Sequence, residues 1–286
     1  MRIAILSDIH ANLPALEAVL EDLKSQKPDA IYCLGDLVGY NVWPNQVIAL
    51  IREHRIATIA GNHDLKVQLP TAPNAACSTE VSNEYAYKLI GDSERNYLQT
   101  LPRHIILEFK LKDITLKLAM VHGSLRSVNE YLIEELPEEY LEEMLQTNGV
   151  DILCCGHSHI PYHRVLFSQT NAEKTPRHII NAGSIGKPKD GDPRACYTIL
   201  NLGLQEGSAD SDYIKTDFIR VKYDIEKAAK AIEIAWVPPG AILTVLSGPP
   251  YVVSEPGACA LAYPPIKAST SIIINILGKF FIVLLF

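Results

Sequence analysis

Five short segments of the 286-residue chain place aspartate, asparagine or histidine directly after an apolar stretch. These residues are Asp8 and His10 in SDIH, Asp36 in LGD, Asn62, His63 and Asp64 in GNHD, His122 in VHG, and His157 and His159 in GHSH. Such side chains supply oxygen and imidazole ligands, a mixture that suits Mn, Fe, Co, Ni or Zn ions. One turn of this kind is commonplace, whereas five in succession predict a shared metal site.

The stretches between these segments predict the scaffold that brings them together. RIAIL (2–6), AIYCL (30–34) and IATIA (56–60) are short apolar runs typical of buried strands, whereas residues 13–25 and 44–54 place apolar residues on one helical face. Strands that alternate with helices predict parallel βαβ units. Because sites in such sheets form beyond the carboxyl ends of the strands, we expect the polar segments to meet there.

The middle of the chain predicts further strands. Residues 104–123 alternate apolar and polar positions around Lys112 and Asp113, which is typical of an antiparallel hairpin. A helix is expected near 136–147, strands at 151–155, 162–167, 178–183, 195–202 and 217–223, and a last helix over 225–235. The predicted fold class is α/β, a sandwich of two mixed sheets with helices on the outside.

The last part of the chain has a different composition. Residues 237–286 contain three charged residues and seven prolines, and end in SIIINILGKFFIVLLF. We therefore predict a domain over 1–235 and a low-charge, proline-rich apolar tail over 236–286, with an extended tail, a swapped strand or a frameshifted end as readings of the latter. A membrane anchor is disfavoured, because the final run is broken by Lys279 and is shorter than the roughly 20 residues that span a bilayer.

The composition of the chain indicates where in the cell the protein works and which kinds of partner it binds. The formal net charge of −7 argues weakly against a dedicated nucleic-acid-binding module, since phosphate backbones are normally met by basic surfaces. The six cysteines include no C-x-x-C pair, and the N-terminal apolar stretch is too short for a signal peptide. These features predict a cytoplasmic protein without membrane association, and they predict no particular oligomeric state.

The segment VDILCCGHSHIP (150–161) resembles a Cys₂His₂ zinc site at first sight. However, Cys154 and Cys155 end a predicted strand, where consecutive side chains point to opposite faces. They are therefore predicted to be packing residues, and His157 and His159 to act with partners far away in sequence.

The order D-x-H, G-D, G-N-H-D, V-H-G, G-H-S-H resembles the calcineurin-like metallophosphoesterase superfamily over about residues 1–235. The neighbouring GDLVGY and NAGSIGKPKDGDPRACY (181–197) resemble its small single-domain bacterial and archaeal branch, whose members are described as phosphoesterases or phosphodiesterases. The resemblance implies a four-layer α/β/β/α sandwich and a site with two divalent metal ions. It assigns Asp8, His10 and His159 to one ion and Asn62, His122 and His157 to the other, with Asp36 bridging both.

In the family pattern the histidine at position 63 does not bind metal and faces the substrate, where it stabilises the phosphoryl group or protonates the leaving oxygen. Asp64 is implied to orient it, with a turn residue making local hydrogen bonds as the alternative. The retromer scaffold subunit has the same fold but lacks this histidine and works as a binding protein. The presence of His63 therefore favours catalysis.

The implied function is a metal-dependent phosphodiesterase in which a metal-bridging hydroxide attacks the ester, with nucleotides, cyclic nucleotides and nucleic acid as candidate substrates. The alternatives are a phosphomonoesterase with the same site and a metal-stabilised protein-binding scaffold. GDLVGYNVWP lacks the arginine that follows the second aspartate in phosphoprotein phosphatases and diadenosine tetraphosphate hydrolases, which disfavours their substrates.

Several residues beside the motifs have weaker assignments. Asn12 and Arg126 are predicted to contact phosphate oxygens of the substrate. Asn181, Ser184 and Lys187 in NAGSIGKP either line the site or form a structural turn. His54, His104 and His178 lie outside any motif and are predicted at the surface.

Overall fold

The computed structural model describes residues 1–67, 86–111, 114–167, 176–203, 214–235, 271–276 and 280–285. Its helices are α1 (Leu13–Gln26), α2 (Pro44–Glu53), α3 (Asn62–Lys66), α4 (Asp92–Gln99), α5 (Glu138–Asn148) and α6 (Ile225–Ile234). Its strands are β1 (Arg2–Leu6), β2 (Ala30–Cys33), β3 (Ala57–Thr58), β4 (His104–Leu111), β5 (Ile114–Val121), β6 (Ile152–Cys155), β7 (Tyr162–Leu166), β8 (Arg177–Asn181), β9 (Ala195–Leu202), β10 (Ile214–Val221), β11 (Ser271–Ile276) and β12 (Phe280–Leu285).

Two five-stranded sheets form the centre of the fold, in the orders β10-β9-β1-β2-β3 and β4-β5-β6-β8-β7. In the first sheet β1, β2 and β3 are parallel, and β9 and β10 are antiparallel additions next to β1. In the second sheet β5, β6 and β8 are parallel, and β4 and β7 are antiparallel at its edges. Both sheets are therefore mixed, as the sequence predicts.

Three clusters of buried apolar side chains define the layers. Ile3 and Ile5 of β1 pack against residues of the second sheet such as Leu118, so the two sheets share a core. Ala4 and Leu6, on the opposite face of β1, pack with α1 and α2. A third cluster joins the outer face of the second sheet to α5. The arrangement is the predicted four-layer α/β/β/α sandwich.

Local patterns account for most elements. The predicted hairpin is confirmed, since β4 and β5 pair antiparallel along their whole length, while Lys112 and Asp113 lie outside the described residues. β3 is only two residues long, shorter than the predicted 56–60. Cys154 lies in the core between the sheets and Cys155 in the cluster below α5. The two thiols therefore point to opposite faces, as predicted.

Cysteines in the described part of the chain are buried and free. They are Cys33, Cys154, Cys155 and Cys196, while Cys77 and Cys259 lie outside it. Burial raises the pKa of Cys155 to about 12, so its thiol stays protonated at neutral pH. These thiols are packing residues without ligand character.

Two strands of the tail are described. β11 and β12 pair antiparallel with each other, and β12 lies next to β4. Within the described residues, no helix is both long and apolar enough to cross a membrane. The division of the chain near residue 235 stays a prediction.

That division can be tested by ending the chain after residue 235. The buried members of the three clusters of the described residues come from positions 3–202, so the sandwich should fold without the tail. We expect a single cooperative thermal transition and unchanged metal binding, measured by calorimetry against the full chain. Loss of cooperative unfolding in the shortened chain would show that the tail belongs to the domain.

Candidate metal centre

The polar segments meet at the carboxyl ends of the central strands of both sheets. Asp8 and His10 follow β1, Asp36 follows β2, Asn62 and His63 open α3 after β3, His122 follows β5, and His157 and His159 follow β6. All eight side chains are buried, with exposures of 8% or less. The structure therefore brings together every predicted metal ligand, from segments up to 151 positions apart.

Asp8, His10 and His159 form the first group. His10 Nδ1 lies 3.0 Å from the Val38 carbonyl and His159 Nδ1 lies 2.6 Å from the Lys187 carbonyl. A carbonyl can only accept, so each Nδ1 carries the proton and each Nε2 presents a lone pair. The two Nε2 atoms are 3.1 Å apart, and Asp8 Oδ1 lies 3.1 Å from His159 Nε2.

Asp36, His122 and His157 form the second group. His122 Nδ1 donates to the Leu34 carbonyl at 2.9 Å, which directs Nε2 into the cluster. That Nε2 lies 3.0 Å from Asn62 Oδ1 and 3.3 Å from Asp36 Oδ2. Asn62 thus joins the second group.

Asp36 lies between the two groups. Its Oδ1 accepts the His63 backbone N–H at 2.8 Å. Its Oδ2 is 3.3 Å from His122 Nε2 and 3.7 Å from His10 Nε2, so one oxygen faces a histidine of each group.

The donor set of this cluster fits a cation. The imidazoles of His10 and His159 direct lone pairs inward, and two buried carboxylate oxygens, Asp8 Oδ1 and Asp36 Oδ2, have no hydrogen-bond partner among the described residues. Buried polar atoms normally find a partner, and an isolated carboxylate oxygen is especially costly to bury. Histidines whose Nδ1 is held by a carbonyl are the form that binds metal through Nε2.

The electrostatics of the histidines agree with a ligand role. Burial lowers the pKa of His157 to about 3 and that of His159 to about 4, so both are neutral at neutral pH. Burial also acts to lower the pKa of His122, but Asp36 outweighs it and raises this pKa to about 9. A metal ion and this proton compete for the same nitrogen, so metal binding would release the proton.

The backbone of the ligand turns is strained. Asp8, His10, Asp36, His157 and His159 have φ values of 54°, 50°, 52°, 65° and 62°, in the left-handed region that residues other than glycine rarely adopt. Such a conformation costs on the order of 1–3 kcal/mol per residue and persists where surrounding structure enforces it. Five of the predicted ligands thus share a backbone conformation that the surrounding structure must enforce, as is common at functional sites.

Glycines allow the turns to approach one another. A Cβ on Gly61 would lie 2.1 Å from Asp36 Oδ1 and 2.3 Å from the Asp36 backbone nitrogen. A Cβ on Gly156 would lie 2.1 Å from Ser7 Oγ and 2.6 Å from Asp8 Oδ2. Neither position tolerates a side chain while the carboxylate stays in place.

His63 lies beside the cluster but is held by a different partner. Its Nδ1 is 2.7 Å from the Tyr87 hydroxyl, and its ring packs edge-on against His10 at 5.0 Å. Burial lowers its pKa well below the ordinary value. Tyr87 belongs to no motif, and sequence reasoning missed it.

Asp64 contacts the backbone instead of the His63 ring. Its Oδ1 accepts the N–H groups of Leu37 and Val38 at 3.0 and 3.3 Å, and its Oδ2 accepts that of Gly61 at 2.9 Å. This geometry matches the alternative reading of a turn residue making local hydrogen bonds. Asp64 ties the turn after β2 to the start of α3, and so holds Asp36 and His63 indirectly.

The two predicted phosphate-binding residues have structural partners. Asn12 caps α1 by accepting the Ala15 N–H at 3.2 Å, and its amide donates to the Gly186 carbonyl at 3.0 Å. Arg126 pairs with Glu130 at 2.5 Å, and its guanidinium lies 4.2 Å from the Tyr140 ring centroid. A contact of either residue with substrate stays a prediction.

The segment NAGSIGKP contains both scaffold and site residues. The Asn181 amide donates to the Gly156 carbonyl at 2.7 Å, and Ser184 Oγ donates to the Asp8 carbonyl at 2.8 Å. These bonds support the turns that carry the ligands. Lys187 instead points its Nζ at the Tyr40 ring, 3.6 Å from the centroid. Burial is the main cause that lowers its pKa to about 7.

One sequence-based prediction is wrong, and one contact at the site was not predicted. His178, predicted at the surface, is buried, and its Nδ1 lies 3.0 Å from His163 Nε2 across β7 and β8. That prediction was wrong because His178 lies on the same face of β8 as Ile180, which packs in the core between the two sheets. In addition, Tyr131 stacks on His157 with ring centroids 4.0 Å apart, a contact that no motif signals.

Comparison with known proteins agrees with this geometry. Residues 1–204 match the model of the calcineurin-like phosphoesterase superfamily domain. The uncharacterized protein MJ0912 of Methanocaldococcus jannaschii is 32% identical over 244 residues, which cover 80% of this chain and 91% of that protein. Phosphodiesterase YfcE of Escherichia coli K12 is 27% identical over 212 residues, 70% of this chain and 88% of that protein. The crystal structure of a metallophosphoesterase from Sphaerobacter thermophilus aligns with a TM-score of 0.66 and 28% identity, over 87% of this chain and 100% of that one.

The close approach at Gly61 leads to a testable prediction. Gly61→Ala should displace Asp36 and weaken binding of divalent metal by about tenfold or more, as expected when the support of a ligand is removed. Titration calorimetry with Mn²⁺ measures the effect. Gly149→Ala is the matched control, because a Cβ there meets nothing within 4 Å and the positive φ of 58° costs only stability. Equal metal affinity of Gly61→Ala and wild type would contradict the steric argument.

Proposed function

The chain belongs to the calcineurin-like phosphoesterase superfamily and is a phosphoric ester hydrolase, and we propose that it works as a dinuclear-metal-dependent phosphodiesterase. The observation that carries this proposal is the convergence of buried histidines on Asp8 Oδ1 and Asp36 Oδ2, two carboxylate oxygens without a hydrogen-bond partner among the described residues. The proposed ligands of one ion are Asp8, His10 and His159, those of the other are Asn62, His122 and His157, and Asp36 is shared.

The arrangement around Asp36 supports the sharing. Its Oδ2 faces His10 of the first group and His122 of the second, while its Oδ1 is fixed by the His63 N–H. When bound, two divalent ions supply Lewis acidity, neutralising charge on the phosphoryl group and lowering the pKa of water to make a nucleophile. The protein's task is to hold the ligands in place, which the Nδ1 bonds and the strained turns accomplish.

His63 is proposed to act on the substrate. Because its Nδ1 bonds to Tyr87, its Nε2 is the nitrogen left to contact a phosphoryl oxygen or the leaving oxygen. Its lowered pKa makes the ring neutral before substrate arrives. A negatively charged phosphate beside it would raise that pKa and favour the protonated form that can donate to the leaving oxygen.

Three considerations favour a diester substrate. YfcE, a relative, is named a phosphodiesterase. The arginine that follows the second aspartate in phosphoprotein phosphatases and diadenosine tetraphosphate hydrolases is lacking, and Arg126 is engaged by Glu130. Nucleotides, cyclic nucleotides and nucleic acid are the candidate diesters, and the cytoplasm is the proposed location. A phosphomonoesterase with the same site and a metal-stabilised scaffold are the competing proposals.

A reconstituted screen tests the choice among these. Protein loaded with Mn²⁺, Co²⁺, Ni²⁺ or Zn²⁺ is assayed on an aryl phosphodiester, the matching monoester, cyclic nucleotides and DNA. Faster turnover of the diester is expected. Faster monoester turnover would favour the phosphatase, and hydrolysis of no ester with any metal would favour the scaffold.

Asp36→Asn is expected to lose metal and activity together. The amide is neutral and cannot compensate two cations, so kcat/KM on the preferred ester should fall by about 10²–10³-fold or more. Metal content is measured by mass spectrometry alongside the kinetics. Asp217→Asn on β10 is the control, since that carboxylate is partly exposed beside Lys215. Wild-type activity in Asp36→Asn would refute the shared-ligand assignment.

The His63→Ala variant is expected to bind metal as wild type does but to hydrolyse the ester more slowly. Removing an acid-base group typically costs about 10²–10⁴-fold in kcat. Tyr87→Phe deletes only the hydroxyl that holds Nδ1 and should lower kcat by a few-fold to about tenfold. The exposed His54→Ala serves as control. Full activity in His63→Ala, with metal content unchanged, would remove His63 from the mechanism.

A further inference from the structure

Lys187 is a buried lysine that the proposed ligand set does not use. It is 6% exposed, and its Nζ lies 3.6 Å from the centroid of the Tyr40 ring. Among the residues that the structure describes, no carboxylate forms an ion pair with it. A lysine this deeply buried is normally paired.

The backbone fixes Lys187 beside the first group. Its carbonyl accepts the His159 Nδ1–H at 2.6 Å, and its N–H donates to Ser184 Oγ at 2.8 Å. The Tyr40 ring, which its ammonium contacts, packs edge-on against the His10 ring with centroids 4.7 Å apart. The centroids of the Tyr40 and His63 rings are 4.9 Å apart. The Lys187 amine therefore contacts a ring that in turn contacts one predicted ligand, His10, and the proposed acid-base residue His63.

The fold itself gains little from this charge. Burying an ammonium without a counter-charge is costly, and contact with an aromatic face returns only a part of that cost. A methionine would fill similar space and pack on Tyr40 without the desolvation cost. An anion bound from solution would compensate the charge of the Lys187 ammonium.

We propose that Lys187 and Tyr40 form an anion subsite that binds a phosphate oxygen of the substrate on the side of Asp8, His10 and His159. The inference rests on the proposed function, because it places the substrate phosphate at the metal centre. Tyr40 holds the ammonium on its ring face, and the N–H donors directed away from the ring bind the oxygen. Lysine binds phosphate in this way as a point charge.

The test compares wild type with Lys187→Met, both loaded with Mn²⁺. Inorganic phosphate is the probe, and its dissociation constant is measured by titration calorimetry and as a competitive inhibition constant against the aryl diester. Loss of a charge-assisted hydrogen bond should weaken phosphate binding by about tenfold or more and raise KM, with metal content unchanged. The apo variant should melt no lower than wild type, since an uncompensated charge has been removed.

Lys227→Met is the matched control, because it removes the same charge from an exposed position on α6. Lys187→Gln is a second neutral variant should methionine disturb the fold. Phosphate affinity within twofold of wild type in the neutral variants would overturn the subsite and leave Lys187 a structural residue. So would a metal-loaded wild type that binds no phosphate. Hydrolysis of no ester by wild type would instead refute the proposed function, while the phosphate titration would still decide the subsite.

Discussion

Lone pairs directed at one another in a buried space are the constraint on which this structure depends. His10 Nε2 and His159 Nε2 lie 3.1 Å apart, and carboxylate oxygens of Asp8 and Asp36 lie beside them with no donor from the described residues. Such an arrangement is repulsive by itself and becomes favourable when a cation occupies the space. The other features of the site keep the lone pairs pointing inward.

Each of these features acts through the backbone. The Nδ1–H groups of three histidines donate hydrogen bonds to backbone carbonyls, which holds each proton on Nδ1 and fixes the orientation of each ring. The pairs are His10 with Val38, His122 with Leu34 and His159 with Lys187. The turns that carry the ligands adopt left-handed φ values, and glycines at 61 and 156 let neighbouring turns approach. The cost of these conformations is offset by the apolar cores on both sides of each sheet, which begin directly below the turns.

The fold could be predicted from the sequence because it depends on local patterns, and so could the meeting of the polar segments at one edge of the sheets, whereas the assignment of each side chain to an ion comes from the family resemblance. Strand β1 and helix α1 follow from apolar spacing, and each ligand follows a strand that the same spacing identifies. Tyr87 could not be predicted in this way, since its contact with His63 arises from tertiary packing of a segment without a motif. For a related reason the sequence left two roles open for Asp64 and wrongly placed His178 at the surface. Whether a polar side chain meets a neighbouring ring, a backbone amide or solvent depends on what packs over it.

The origin of the ligands in two separate sheets has a further consequence. Asp8, His10, Asp36 and Asn62 extend from the first sheet, whereas His122, His157 and His159 extend from the second. An ion held by side chains of both sheets is a cross-link between the halves of the sandwich, and its binding energy adds to the cohesion of the shared core. Because the ion would bind only the folded chain, loading the site should make the sandwich more resistant to unfolding. The cofactor of the proposed reaction would thus also serve as a structural cross-link between the two sheets.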